Sequence, residues 1–243
     1  MKAAVITPYF KEDIDTLWRC HHSVLSQDSD CRHFLVADGF ANKSIWEWDC
    51  EHLTLPTAHN DNGNTPRTIG ALSAINKGYK AILFLDADNW FTPNHVSEAL
   101  RLKAGNPDLD IAVLRRQIML PDGTTVPDDH EDVTGSHVDT SCYAFFESSF
   151  SMLPLWGMMP TFLSPICDRI MFSAIKAKQL SMEWSPIKTV YFTSNYRAHY
   201  IKAGQVPPAK TNDCDMQAIS NALKQNPDLL RTRTGLDLLR TRN

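Results

Sequence analysis

The chain has 243 residues, 43% of them hydrophobic, and a formal net charge of -4 at pH 7. That length and apolar content suit one domain with a substantial core, and the slight acidity excludes a global basic field of the kind that gathers nucleic acid. Its six cysteines (Cys20, Cys31, Cys50, Cys142, Cys167, Cys214) contain no Cys-x-x-Cys pair, which argues against a zinc module and for reduced thiols.

The opening MKAAVITPYF enters a strand at residues 2–7 without the long apolar stretch of a signal peptide. Residues 13–27 then place Ile14, Leu17, Trp18, His21, Val24 and Leu25 at three- and four-residue spacing, one face of a helix. His21 and His22 are neighbours on that helix and face different ways, so they form no site. Residues 33–39 (HFLVADG) and 51–56 (EHLTLP) read as a buried strand and a weaker one. A helix is expected from Thr65–Pro66, with Thr65 as its N-cap, to Gly78. Residues 81–86 (AILFLD) form the next strand, and a second Thr–Pro start at Thr92–Pro93 opens a helix to Gly105. Strands separated by helices imply an α/β fold, a mostly parallel sheet covered on both faces.

Beyond Gly105 the pattern loosens. Residues 110–129 suggest a strand and a hairpin turning at Asp122–Gly123. Residues 164–179 read as a helix capped by Ser164, and 187–201 carry a further strand. The tail is helical in pattern, with LLRTR at 229–233 and again at 238–242. Its four arginines suit a solvated face first, and anionic lipid or a partner second. The richest apolar stretch, MLPLWGMMPTFL at 152–163, falls short of the ~18 residues of a membrane span and is broken by Pro154 and Pro160. A cytoplasmic protein is expected, with peripheral contact at the inner face of a membrane through the basic tail as a further expectation.

Ligands of an open parallel sheet bind beyond the carboxyl ends of the strands. Three strands end there in polar or turn residues: Thr7-Pro8-Tyr9, Asp38-Gly39 and Asp86-Ala87-Asp88. On an extended segment Asp86 and Asp88 point to the same side, so both can face one divalent cation, Mg²⁺ or Mn²⁺. A capped, solvated loop would also accommodate them. Arg67 sits in the first turn of its helix, where the macrodipole disfavours a cation and favours an anion such as phosphate. Pairing with Asp61 is its alternative.

Taken in order, VITPYF, LWRCHHSVLSQ, LVADG and NDNGNTPRTIGALSAINKGYKAILFLDADN resemble a family 2 glycosyltransferase of the GT-A fold, over roughly the first hundred residues. The resemblance implies a nucleotide-sugar-binding half at 1–105, an acceptor-binding and catalytic half at 106–211 and a helical tail at 212–243. It assigns Thr7, Pro8 and Tyr9 to base and ribose, Asp38 to the base edge, and Arg67, Asp86 and Ala87 to the nucleotide sugar. Asp86 and Asp88 become metal residues, with Asp88 the direct ligand and His199 a further one. Asp168 of SPICDRIM corresponds to the catalytic base, beside Cys167 where the family has Glu. Asp139 and the acid-rich PDDHED loop (127–132) compete for that role, the loop being expected in solvent. Trp156, Met158 and Met159 suggest a platform for a sugar ring, or core.

The implied activity is metal-dependent transfer of a sugar from a nucleotide-diphosphate donor, a UDP-sugar favoured, to a hydroxyl of a saccharide, lipid-linked or small-molecule acceptor. Direct displacement would invert the anomeric centre. The Gln-x-x-Arg-Trp motif of processive synthases is absent, which favours single addition. The alternative is a GT-A-like subunit that binds a nucleotide sugar without transferring it. A nucleotidyltransferase would need a glycine-rich loop after the first strand, which TPYFKED lacks.

Overall fold

The computed structural model describes residues 1–226 and 228–234; the second LLRTR copy, at 238–242, lies outside them. Eight strands form one sheet in the order β3-β2-β1-β4-β7-β6-β8-β5. Its first four are β1 (Ala3–Tyr9), β2 (Cys31–Asp38), β3 (Glu51–Leu55) and β4 (Ala81–Phe84), all parallel. Every residue of β1 and β4 is buried, as continuous apolar runs in a doubly covered sheet require. Helix α1 (Ile14–Leu25) connects β1 to β2, capped by Asp13 accepting from the Thr16 amide. Helix α2 (Asn64–Asn76) connects β3 to β4 and lies very close to the sheet. A Cβ on its Gly70 would meet Ile6 Cγ2 at 2.5 Å and Val36 Cγ2 at 2.8 Å.

The second half of the chain completes the same sheet. β5 (Trp90–Phe91) and α3 (His95–Gly105) lead to β6 (Ile111–Met119). β7 (Tyr143–Phe146) inserts between β4 and β6, antiparallel to both, while β8 (Met182–Thr193) runs parallel to β6 and antiparallel to β5. The sheet is therefore parallel on one side and mixed on the other. β7 went unseen in the sequence because YAFF is short and pairs with residues about 30 and 60 positions away. The Asp122–Gly123 turn forms as expected, the Leu120 amide donating to the Thr124 carbonyl at 2.8 Å.

Three helix starts differ from expectation. α2 begins at Asn64 because Asp61, four residues before Thr65, accepts from both the Thr65 amide (2.9 Å) and its hydroxyl (2.6 Å). α3 begins at His95, since Thr92 bonds to the Asn94 side chain instead of capping. The stretch expected as one helix from Ser164 is a 3₁₀ turn, Thr161–Ile166, holding Pro165, followed by α6 (Cys167–Ala177). Residues 187–201 divide between β8 and a short helix α7 (Arg197–Lys202) that carries His199.

The acid-rich loop is not solvated. It contributes a short helix α4 (His130–Thr134), and its carboxylates are tied to the body of the protein. Asp128 pairs with Lys188, Asp129 with Lys202 and His199, Glu131 with Arg169, and Asp132 with the buried Arg116. Trp156 is fully buried and Met159 nearly so, which makes them core and leaves no aromatic platform there; Met158 alone of the three is exposed. Among the described residues no helix is long and apolar enough to cross a membrane.

Candidate active site

The carboxyl ends of β1, β2 and β4 open into a cavity of about 840 Å³. Pro8, Tyr9, Asp38, Asp86, Ala87 and Asp88 line it, six of the residues picked out from sequence. Loop 60–63 closes one side. Gly63, with φ +79°, brings the start of α2 against Pro8, where a Cβ would meet Pro8 Cγ at 2.8 Å. The facing wall comes from Thr193, Tyr196 and segment 212–219, which leads into α8 (Met216–Gln225). Seven carboxylates line the cavity, from Glu12, Asp38, Asp61, Asp86, Asp88, Asp213 and Asp215, and among the described residues no lysine, arginine or histidine joins them.

β4 ends at Phe84, so the two central acids do not lie on an extended strand. They occupy a turn closed by the Asn89 amide donating to the Asp86 carbonyl at 2.9 Å. That turn is clamped from three distant parts of the chain. Ser141 Oγ accepts from the Asp86 amide and the Asn89 side chain, both at 3.2 Å. Arg19 and Thr193 donate to the Asp88 carbonyl at 2.8 and 2.7 Å. Asn89 Oδ1 accepts from the Thr193 amide at 2.8 Å.

The two carboxylates are not equivalent. Arg67, only 2% exposed, donates through Nη2 to Asp86 Oδ1 at 2.8 Å and through Nη1 to Asn64 Oδ1 at 3.0 Å. Its partner is thus Asp86, not Asp61, and its guanidinium lies behind the turn instead of lining the cavity. Asp88 has no donor from another described residue on its carboxylate. By surface area Asp88 is exposed to the cavity, while the dense protein around the cavity wall desolvates its carboxylate. That desolvation, and then the Asp86 charge, push its pKa up to about 7.

Such a site fits a hard divalent cation. One unpaired carboxylate and one neutralised neighbour supply oxygen ligands, and Mg²⁺ or Mn²⁺ takes its remaining positions from water and phosphate. Among the described residues no three His, Cys, Asp or Glu side chains gather into a group that could hold a metal ion. His199 does not join the two aspartates. Its Nδ1 meets Ser194 Oγ at 2.5 Å and its Nε2 meets Asp129 Oδ2 at 2.8 Å, so both ring nitrogens are engaged elsewhere.

Other residues singled out in the sequence lie in varied surroundings. Thr7 is buried with its hydroxyl 2.8 Å from His33 Nε2 and does not line the cavity. Tyr9 keeps its ring in the wall and its hydroxyl on His52 Nε2 at 2.7 Å. Asp38 accepts from His59, from Nδ1 at 2.6 Å and from the amide at 3.0 Å. Asp168 stands in the first turn of α6, outside the cavity lining, with Oδ2 on His137 Nε2 at 2.6 Å and Oδ1 accepting from the Arg169 amide at 2.7 Å. Burial raises its pKa, but the His137 hydrogen bond and charge outweigh this and hold it below the ordinary value. Asp139 is buried against Arg116 at 3.1 Å, and desolvation carries its pKa up to about 6. His59, Ser141, Arg19 and His137 escaped the sequence reading, since nothing local marks a residue whose partner is 20 to 70 positions away.

No family model matches the chain, and no curated protein matches it. Among solved structures the chain resembles S. aureus TarS, a family 2-like glycosyltransferase of the GT-A fold. TarS 1-349 in complex with UDP aligns with a TM-score of 0.60 at 14% identity, covering 84% of this chain and 63% of that one. TarS 1-349 in complex with UDP-GlcNAc gives 0.62 at 11%, covering 98% and 68%. TarS 1-349 gives 0.61 at 14%, covering 96% and 73%. The chain therefore spans less than two thirds of the first of these. At such identities the likeness is one of fold, and it agrees with the GT-A fold that the resemblance of the ordered motifs implied.

Proposed function

We propose that the chain is a metal-dependent glycosyltransferase that moves a sugar from a nucleotide diphosphate, a UDP-sugar favoured, to an acceptor hydroxyl. The observation that carries this reading is the cavity at the strand ends, walled by seven carboxylates and free of basic side chains among the described residues. A diphosphate would be repelled from such a wall unless a cation accompanied it. The UDP and UDP-GlcNAc complexes of TarS support the same class of donor.

In this reading Pro8, Tyr9 and Asp38 hold the nucleoside, with His59 fixing the Asp38 carboxylate. Asp88, with Asp86 beside it, would hold the divalent ion, which would supply Lewis-acid neutralisation of the departing diphosphate. Arg67 holds Asp86 and adds fixed positive charge behind it. The acceptor hydroxyl attacks the anomeric carbon opposite the diphosphate and gives its proton to Asp168, which inverts the centre. One addition per encounter is expected.

The test is UDP release from UDP-GlcNAc with Mn²⁺ across a panel of saccharide and lipid-linked acceptors. Asp168→Asn should lower release by about 100-fold or more, the usual span of general-base catalysis. Undiminished release in that variant contradicts the role of Asp168. Binding without transfer is the second reading, and the position of Asp168 outside the cavity lining favours it. Tight UDP-GlcNAc binding with no release on any acceptor would select it.

A further inference from the structure

We propose that His137 is the positioning residue of the candidate base: hydrogen-bonded through Nε2 to Asp168 Oδ2 at 2.6 Å, it fixes the carboxylate and sets the pH at which that carboxylate is free to take the acceptor proton. The inference rests on the reading of Asp168 as base. His137 follows α4 on a segment remote from α6 in sequence, and its ring is buried. Its other nitrogen, Nδ1, is buried with no partner. The imidazole therefore has one engagement among the described residues, the Asp168 carboxylate. The Arg169 amide occupies the other oxygen, so the carboxylate is held at both atoms.

The charges around the pair decide its protonation. Burial disfavours the imidazolium, but the hydrogen bond and charge of Asp168 overcome it and raise His137 above 6.5. Arg116 opposes that rise and Asp139 assists it. Glu131, paired with Arg169, Asp132, paired with Arg116, Asp128, paired with Lys188, the Cys142 thiol and the phenols of Tyr143 and Tyr196 are the other titratable groups around the pair. Below the His137 pKa the pair is imidazolium and carboxylate, and the carboxylate's basicity is reduced by the positive charge. Above it the imidazole is neutral with its remaining proton on Nε2, which still donates to Asp168, and Asp168 becomes the stronger base. In the transfer step the acceptor O–H bond breaks and its proton passes to Asp168. The new C–O bond forms as the bond to the diphosphate breaks, and the diphosphate keeps that electron pair.

The full chain tests this in two ways. NMR titration of the His137 Cε1–H should show a pKa above 6.5 in the wild type and a downward shift in Asp168→Asn. UDP release from UDP-GlcNAc with Mn²⁺ should rise with pH through that same pKa. In His137→Gln, whose amide nitrogen can donate but not titrate, the limb should vanish. A His137 pKa at or below 6.5, or an unchanged pH limb in a folded His137→Gln protein, overturns the proposal. If His137→Gln fails to fold, the wild-type and Asp168→Asn titrations decide alone. Loss of activity in Asp168→Asn with an unchanged limb in His137→Gln refutes the role of His137 only. Retained activity in Asp168→Asn refutes the base reading itself.

Discussion

Arg67 and Asp86 form a pair in which one member is buried and the other about a third exposed, so its worth lies between that of a surface and a buried bridge. Arg67→Met should destabilise the chain by about 2–3 kcal/mol, read from the denaturation midpoint at pH 7. Adding Asp86→Asn should recover part of that loss, because the penalty comes from the stranded carboxylate. Additive losses would mean that the two residues are uncoupled. Asp88 behaves oppositely. Its pKa near 7 lies above the ordinary carboxylate value of 3.8, so the folded protein binds this proton more tightly than the unfolded chain. Its contribution favours folding below 3.8 and is lost as pH rises toward 7. Asp88→Asn should therefore raise the melting temperature of the metal-free protein at pH 8, by less than the pKa alone implies because the exposed side chain is screened by solvent. A lower melting temperature there would contradict the strained state assigned to this carboxylate. Asp38, Asp86 and Asp88 were legible as candidates because acids at the ends of apolar strands stand out, and all three line the cavity. Their distinct states were not legible, because Arg67, Ser141, Arg19 and His59 reach them across the fold.

Among the elements, strands with continuous apolar runs were readable, and β1, β2 and β4 lie within a residue or two of their expected bounds. Helix starts were less so. The Thr–Pro pairs at 65–66 and 92–93 look like caps, yet Asp61 supplies the capping carboxylate for α2 and Asn94 takes the Thr92 hydroxyl. Segment 127–132 shows why acid-rich does not mean solvated. Its partners Arg116, Lys188, Lys202 and His199 lie on β6, β8 and α7, remote in sequence. Arg116 is buried and within reach of Asp129, Asp132 and Asp139, so it neutralises several acids at once. Arg116→Leu should cost about 3–5 kcal/mol, since it leaves buried carboxylates without a cation. Limited proteolysis should then cut near 128–136 first. A wild-type cleavage pattern in this variant would show that the segment is held by something else.

Across the whole molecule, three buried histidines set the response to acid. His21 and His33 bond to each other through Nδ1 at 2.8 Å, and His95 bonds to Thr189 at 2.8 Å. Burial lowers all three, His21 to about 4 and His95 to about 3. The unfolded chain takes up these protons near 6.5, so stability is full above 6.5 and falls as pH drops from there toward 4. Denaturation midpoints at pH 7.5, 6 and 4.5 should decline in that order, and a flat profile would mean that these rings are not held neutral. The same fold gathers seven carboxylates around one cavity, from both ends of the chain. The most direct test of the account is the thermal shift given by UDP with and without Mn²⁺, in the wild type and in Asp88→Ala. UDP should raise the melting temperature of the wild type only when Mn²⁺ is present, and that rise should be absent in Asp88→Ala. An equal rise in EDTA, or in Asp88→Ala with Mn²⁺, would contradict a nucleotide site built on a cation at this carboxylate.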